Sequence, residues 1–279
     1  MRRNYRISDV ADYINWVYFF HAWSVSRDSE EGERLQEDAR KMLAHLQPYL
    51  KVQTVVEILP AWSDGDDIVV QKTYLCECGA RHAYGDPVRI PMLRQQTVGN
   101  DGYCLCLSDF IRPENSVKKD KIGVFATSVA MRNRDAFPDD EYNSMLLQTL
   151  SDRLAEAGAE RLHEEVRKSI WGYAPSENLT MEELHKEAFQ GIRPAIGYPC
   201  LPDISLNFII DEIINFSSIG VTLTEHAMMQ PHASVSGFML SHPQSRYFSV
   251  GNVDDSQIRD YARRRNKSYE EIKKYIICC

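Results

Sequence analysis

The chain has 279 residues, 32 basic against 40 acidic side chains, and a net charge of −8; it is 43% apolar and 26% charged. That suffices to bury a sizeable core as one large domain or two small ones. The acidic total argues against a general nucleic-acid binder, whose surface must neutralise phosphates. A local basic bias over 246–275 does not amount to such a surface. No apolar run approaches the roughly 18–20 residues needed to cross a bilayer. The N-terminal apolar stretch is interrupted by Asp9, Asp12 and Asn15, which speaks against a signal peptide. Seven cysteines, an odd number in a chain this long, fit a reducing compartment, so a cytoplasmic protein is expected.

In chain order, 8–23 reads as a buried helix opened by Ser8, apolar over most of its surface. An amphipathic helix follows over 30–50. Strands are expected at 52–59 and 67–75, separated by the turn Ser63, Asp64, Gly65, Asp66. Residues 76–120 read as irregular, and 121–129 as a strong strand. Pro138, Asp139, Asp140 and Glu141 then open the longest helix, because Pro and acidic side chains suit a helix start.

Its apolar residues recur at Tyr142, Leu146, Leu150, Leu154, Leu162, Val166 and Ile170, with Gly158 at the skipped step, where a neighbour could approach closely. About thirty helical residues would span about 45 Å. The remainder reads as a loop (191–203), a helix (204–216), strands at 221–225, 234–240 and 246–250, and helices at 254–265 and 268–276. The mixture is α+β, a single unit over 1–279 with a short tail at 276–279.

No G-x-G, Walker A or H-E-x-x-H string occurs, and Ser236 lacks the first glycine of a nucleophile elbow. Together these absences disfavour a standard hydrolase or dehydrogenase. Cys76-x-Cys78 and Cys104-x-Cys106 depart from the usual C-x₂₋₄-C spacing of structural zinc, so ordinary thiols are preferred to a metal set. His226, His232 and His242 are irregularly spaced and read as isolated histidines. The informative segment is 191–202, GIRPAIGYPCLP. Two X-Pro steps stiffen it, Gly197 permits a sharp bend, and Arg193 and Tyr198 are presented. Two readings of Arg193 stand side by side: a carboxylate clamp for a ligand, or an internal ion pair.

GIRPAIGYPCLPD, LTEHAMMQPHASVSGFMLSHPQSRYFSVGNV and DYARRRNKS closely resemble the C-terminal activation domain of cobalamin-dependent methionine synthase. So do DYINWVYFFHAW, LRQQT and DRLAEAGAERLHEEVRKSIWGYAPSENLTMEEL upstream, in order over nearly the whole chain. The resemblance implies a bent antiparallel sheet with flanking helices and a groove for S-adenosylmethionine. It also implies a part in reductive reactivation: an electron from a flavodoxin-type donor and a methyl group from S-adenosylmethionine restore oxidised cobalamin. The nucleophile is cobalt on a partner, so no catalytic side chain is required here, and the domain contributes binding and orientation.

By resemblance, Arg193 contacts S-adenosylmethionine, and Ala195 lets the ligand reach backbone groups. Tyr247 and Phe248 line the site, Glu156 balances the sulfonium, and Tyr198 meets the cobalamin of the partner. Asn15 stands where relatives have an aspartate that receives the ligand's amino group, which would cost about 1 kcal/mol of charge assistance. Phe248 has lost a hydroxyl that some relatives carry. No cobalamin-ligand D-x-H-x-x-G string appears, so cobalamin is expected on a separate methionine synthase chain lacking this domain. Met1 near the start of the match and the tail KKYIICC favour a separately encoded reactivation subunit. The alternative is a docking or capping module for a corrinoid protein, with weak or lost S-adenosylmethionine binding.

Overall fold

Two long strands rich in β-branched residues, β2 (Leu50–Asp64) and β7 (Asp120–Met131), pair antiparallel from Leu50↔Met131 to Ala61↔Asp120. The computed structural model describes residues 1–76, 81–99, 102–131 and 140–276. Around that pair, β1 (Arg2–Tyr5), β3 (Asp67–Val70), β6 (Val88–Pro91) and β10 (Ser234–Met239) complete a curled, six-stranded sheet in the order β10-β7-β2-β3-β6, with β1 added on β2. Hairpins β4 (Thr73–Leu75) with β5 (Arg81–Ala83), and β8 (Thr222–Leu223) with β9 (Met229–Gln230), lie apart from it.

Strand β7 is buried on both faces because helices cover both. Ile122, Val124 and Ala126 join the cluster that holds Leu206, Ile210 and Ile214 of α6 (Leu206–Ile214). Phe125 and Val129 face the other side, among residues of α4 (Glu141–Glu165) such as Leu154 and Leu162. Helix α4 starts where Asp140 caps it by accepting from Asn143 N at 2.9 Å. Gly158 is the close approach expected: a Cβ there would stand 2.4 Å from Val52 Cγ1. The last turn widens into a π-turn over Val166–Ile170.

Elsewhere the elements depart from the sequence expectations. The helix over 8–23 is broken into α1 (Ile7–Val10), a short 3₁₀ turn (Ala11–Tyr13) and α2 (Trp16–Ala22). Asn15 restarts the helix as the N-cap of α2, its Oδ1 accepting from Val17 N. Helix α3 (Glu30–Leu46) ends early, since Leu50 already belongs to β2. Residues 76–120 hold β5, β6 and a short helical turn at Leu107–Phe110. The expected strand at 246–250 is not one: among the described residues its one ladder-like contact is the Val250 N to Pro199 O bond, at 2.9 Å. Strand 221–225 shrinks to β8. The final helices are α7 (Asp255–Arg264) and α8 (Tyr269–Lys273), preceded by the short α5 (Met181–His185). Pro138 and Asp139, with Cys78 and the tail from 277, lie outside the described residues.

Candidate functional site

The loop after Gly191 runs along the free edge of β10. Ile192 and Leu240 exchange two backbone hydrogen bonds at 3.0 Å, Phe238 N donates to Pro194 O, and Ile196 N donates to Ser236 O. Pro194 lacks an N–H, yet its carbonyl still serves the edge. Gly237 is what admits this approach, because a Cβ there would lie 2.2 Å from Pro194 O. Ala195, buried, sits opposite Gly237. Gly197 then turns the chain at φ 87°, closed by Gly197 N to Leu201 O and Leu201 N to Tyr198 O.

This stiff segment lies over a polar stripe of α4. Glu156, Glu160, His163 and Arg167 follow one another at spacings of four, three and four, and so share one helix face. Tyr198 Oη donates to Glu156 Oε1 at 2.5 Å. Arg193 Nη2 donates to Glu160 Oε2 at 3.0 Å, and its Nη1 reaches Ala159 O at a long 3.4 Å. Its Nε makes no hydrogen bond to a described residue. The backbone N–H of Arg193 donates to Tyr247 Oη at 2.9 Å.

Deeper in, Arg167 is fully buried and holds Glu177 through Nε and Nη2, with its guanidinium 4.1 Å from the Phe189 ring centroid. His163 Nε2 lies 3.3 Å from Tyr173 Oη. Glu160 Oε1, His163 Nδ1 and Arg167 Nη1 are buried without a hydrogen-bond partner.

The electrostatics follow from this crowding. Burial works against the charge of Arg193, but Glu160, Tyr247 and Glu156 hold its guanidinium charged beyond its ordinary range. Burial, helped by Glu156, raises the Tyr198 hydroxyl; burial pushes Tyr247 up to about 12, against the pull of Arg193. Burial, with Arg167 and Arg193 nearby, drives His163 well below 6.5, so it is neutral. Glu187, held at φ 56°, is raised by desolvation, though Arg193 counteracts this. Three guanidinium groups, Arg153, Arg167 and Arg193, face four carboxylates, those of Glu156, Glu160, Glu177 and Glu187. Such a site suits a ligand carrying one carboxylate and an excess of positive charge.

Of the residues singled out from sequence, Glu156, Arg193, Ala195, Tyr198 and Tyr247 are brought together. Phe248 instead packs, half-buried, between the main core and the cluster of Leu93, Val250, Ile258 and Ile272. Asn15 has no hydrogen bond to this group among the described residues, its Oδ1 being engaged as the α2 cap. Two residues earlier, Tyr13 O lies 3.4 Å from His185 Nε2. Glu160, His163, Arg167, Tyr173 and Glu187 were missed. The first three were detectable as a charged stripe at helical spacing; the strained backbone of Glu187 leaves no local signal.

The internal ion pair expected as one reading of Arg193 is present, with Nη2 on Glu160 Oε2. Among the described residues, no three His, Cys, Asp or Glu side chains converge as a metal set. Cys106 is buried, and burial pushes its thiol up to about 11. No helix among the described residues is long and apolar enough to cross a membrane.

The fold and site define an α+β domain in which a sheet-edge loop is locked onto a charged helix face. Residues 6–266 match the family model of the vitamin B12 dependent methionine synthase activation domain, and the chain belongs to that family. A solved structure described as the MetH reactivation domain bound to AdoHcy is similar over 99% of this chain and 88% of that one. It shares 39% sequence identity with a TM-score of 0.86.

Proposed function

We propose that this chain binds S-adenosylmethionine beside the 192–198 loop and serves reductive reactivation of cobalamin carried by a separate methionine synthase chain. The observation that carries this reading is the Arg193 guanidinium, held on its inner side by Glu160 with its Nε edge left over, among an excess of carboxylates. A ligand with one carboxylate, an ammonium and a sulfonium matches that pattern. The similar structure, which holds AdoHcy, supports the ligand class.

In this reading S-adenosylmethionine supplies the methyl group, and a flavodoxin-type donor supplies the electron. Arg193 clamps the ligand carboxylate, the carboxylates of Glu156 and Glu187 face its cationic centres, and Ala195 leaves room against the loop backbone. Asn15 and Tyr247 border the site, and Phe248 supports it from the core. Tyr198, exposed at its rim, meets the partner's corrin. The chain holds the methyl donor and forms no bond itself, so it acts in trans in a reducing, cytoplasmic setting.

A second reading, a docking module with weak or lost affinity, is favoured by one observation: Asn15 carries no charge and spends its oxygen on capping α2. One experiment addresses the function. With a cobalamin-loaded partner, a low-potential reductant and S-adenosylmethionine, the protein promotes recovery of methylated cobalamin. Tyr198→Ala slows that recovery while leaving ligand affinity nearly intact. Recovery at the wild-type rate under limiting partner would refute the docking role of the loop.

A further inference from the structure

The carboxylate of Glu160 stands between two arginines. Arg167 is fully buried, two of its nitrogens hold Glu177, and its guanidinium lies over Phe189. Arg193 sits on the loop, with Nη2 on Glu160 Oε2. Between them, Glu160 Oε1 lies 4.0 Å from Arg167 Nη1, and both atoms are buried without a hydrogen-bond partner. That separation is too long for a direct bond and leaves the pair held by charge. The carboxylate is therefore drawn toward a fixed cation on one side while it orients a second cation on the other.

We propose that Glu160 is a positioning residue for Arg193, fixing the plane in which its guanidinium meets the ligand's carboxylate. The inference rests on the clamp role of Arg193 and adds what sets its direction. Without Glu160, Arg193 keeps only the 3.4 Å contact of Nη1 with Ala159 O on its inner side, and its fork is free to rotate. A guanidinium contributes most when both of its hydrogen bonds are pre-aligned.

A positioning role changes recognition of the carboxylate alone, whereas a structural role changes the whole site. Calorimetry with S-adenosylmethionine and with decarboxylated S-adenosylmethionine separates the two, since these probes share the adenosyl group, sulfonium and amine. In wild type, the carboxylate gives a clear preference for the complete ligand. Glu160→Gln keeps an acceptor but loses the charge, and the preference falls about fivefold while affinity for the decarboxylated probe holds.

Equal loss for both probes, or an unchanged preference, would overturn the proposal. If Glu160→Gln does not fold, Glu160→Asp retains the charge with a shorter reach and lowers the preference in the same way. Arg193→Ala is the companion: if it abolishes the preference while Glu160→Gln leaves it untouched, the clamp stands and the role of Glu160 falls. If Arg193→Ala leaves the preference intact, both fall.

Discussion

Two buried charged networks in this molecule are built from the same kinds of side chain and end in opposite states of completion. Around Asp203, no buried side-chain polar atom of the described residues lacks a partner. Tyr261 Oη donates to Oδ2 at 2.7 Å, Arg265 Nη1 donates to the same oxygen at 3.2 Å, and Ser205 N donates to Oδ1 at 2.8 Å. Arg265 Nη2 is taken by Ser205 Oγ. Around Glu160, three buried polar atoms have no partner among the described residues. The first network ties α7 to the segment before α6 and leaves none of its buried side-chain polar atoms without a partner. The second, under the 192–198 loop, keeps Glu160 Oε1 and Arg167 Nη1 buried 4.0 Å apart, held by charge. A buried polar network is costly when half satisfied.

The largest expected effect breaks the complete network. Asp203→Ala leaves Arg265 and the Tyr261 hydroxyl buried without their acceptor, and should cost about 3–5 kcal/mol of stability in denaturant unfolding. A loss within about 1 kcal/mol would mean that the network is not the staple it resembles.

A smaller effect separates the two networks by pH. His163 is kept neutral in the fold because burial drives its pKa well below 6.5, whereas the unfolded chain takes up a proton near that value. Its contribution is therefore fully present above pH 6.5 and is lost as the pH falls below it, by up to about 1.4 kcal/mol per pH unit. His163→Gln removes that part of the slope. Stability profiles of wild type and variant that run parallel between pH 7 and pH 5 would contradict it.

The smallest effect concerns Asn15. Asp caps a helix as well as Asn does, so Asn15→Asp preserves α2 and adds a carboxylate there. It should tighten S-adenosylmethionine by about 1 kcal/mol, several-fold in affinity. Unchanged or weaker binding in a titration would place the ligand's amino group elsewhere.

How far the sequence reached differs along the same lines. The strands at β2 and β7 and the length of α4 were legible because apolar, β-branched runs and the four-residue leucine repeat both report burial directly. Gly158 was legible as a gap in that repeat, and it does admit Val52. The break in the first helix was hidden, because an apolar run around the whole surface carries no phase in which a restart at Asn15 could show. Tyr247 and Phe248 read as a strand because one faces the loop and the other the core. That alternation arises from a segment packed between two layers with no ladder beside it. The leucine repeat of α4 also masked the charged stripe on the neighbouring face of the same helix. Arg193 was found from its loop, but Glu160, which orients it, was not.

The central claim is that the Arg193 side of this incomplete network receives S-adenosylmethionine, and a calorimetric titration tests it most directly. Wild type should bind the ligand, and Arg193→Ala, shown to be folded, should lose about 1.5–3 kcal/mol, tenfold or more in affinity. A flat titration of folded wild-type protein at millimolar ligand, or equal affinity in the variant, would contradict the account.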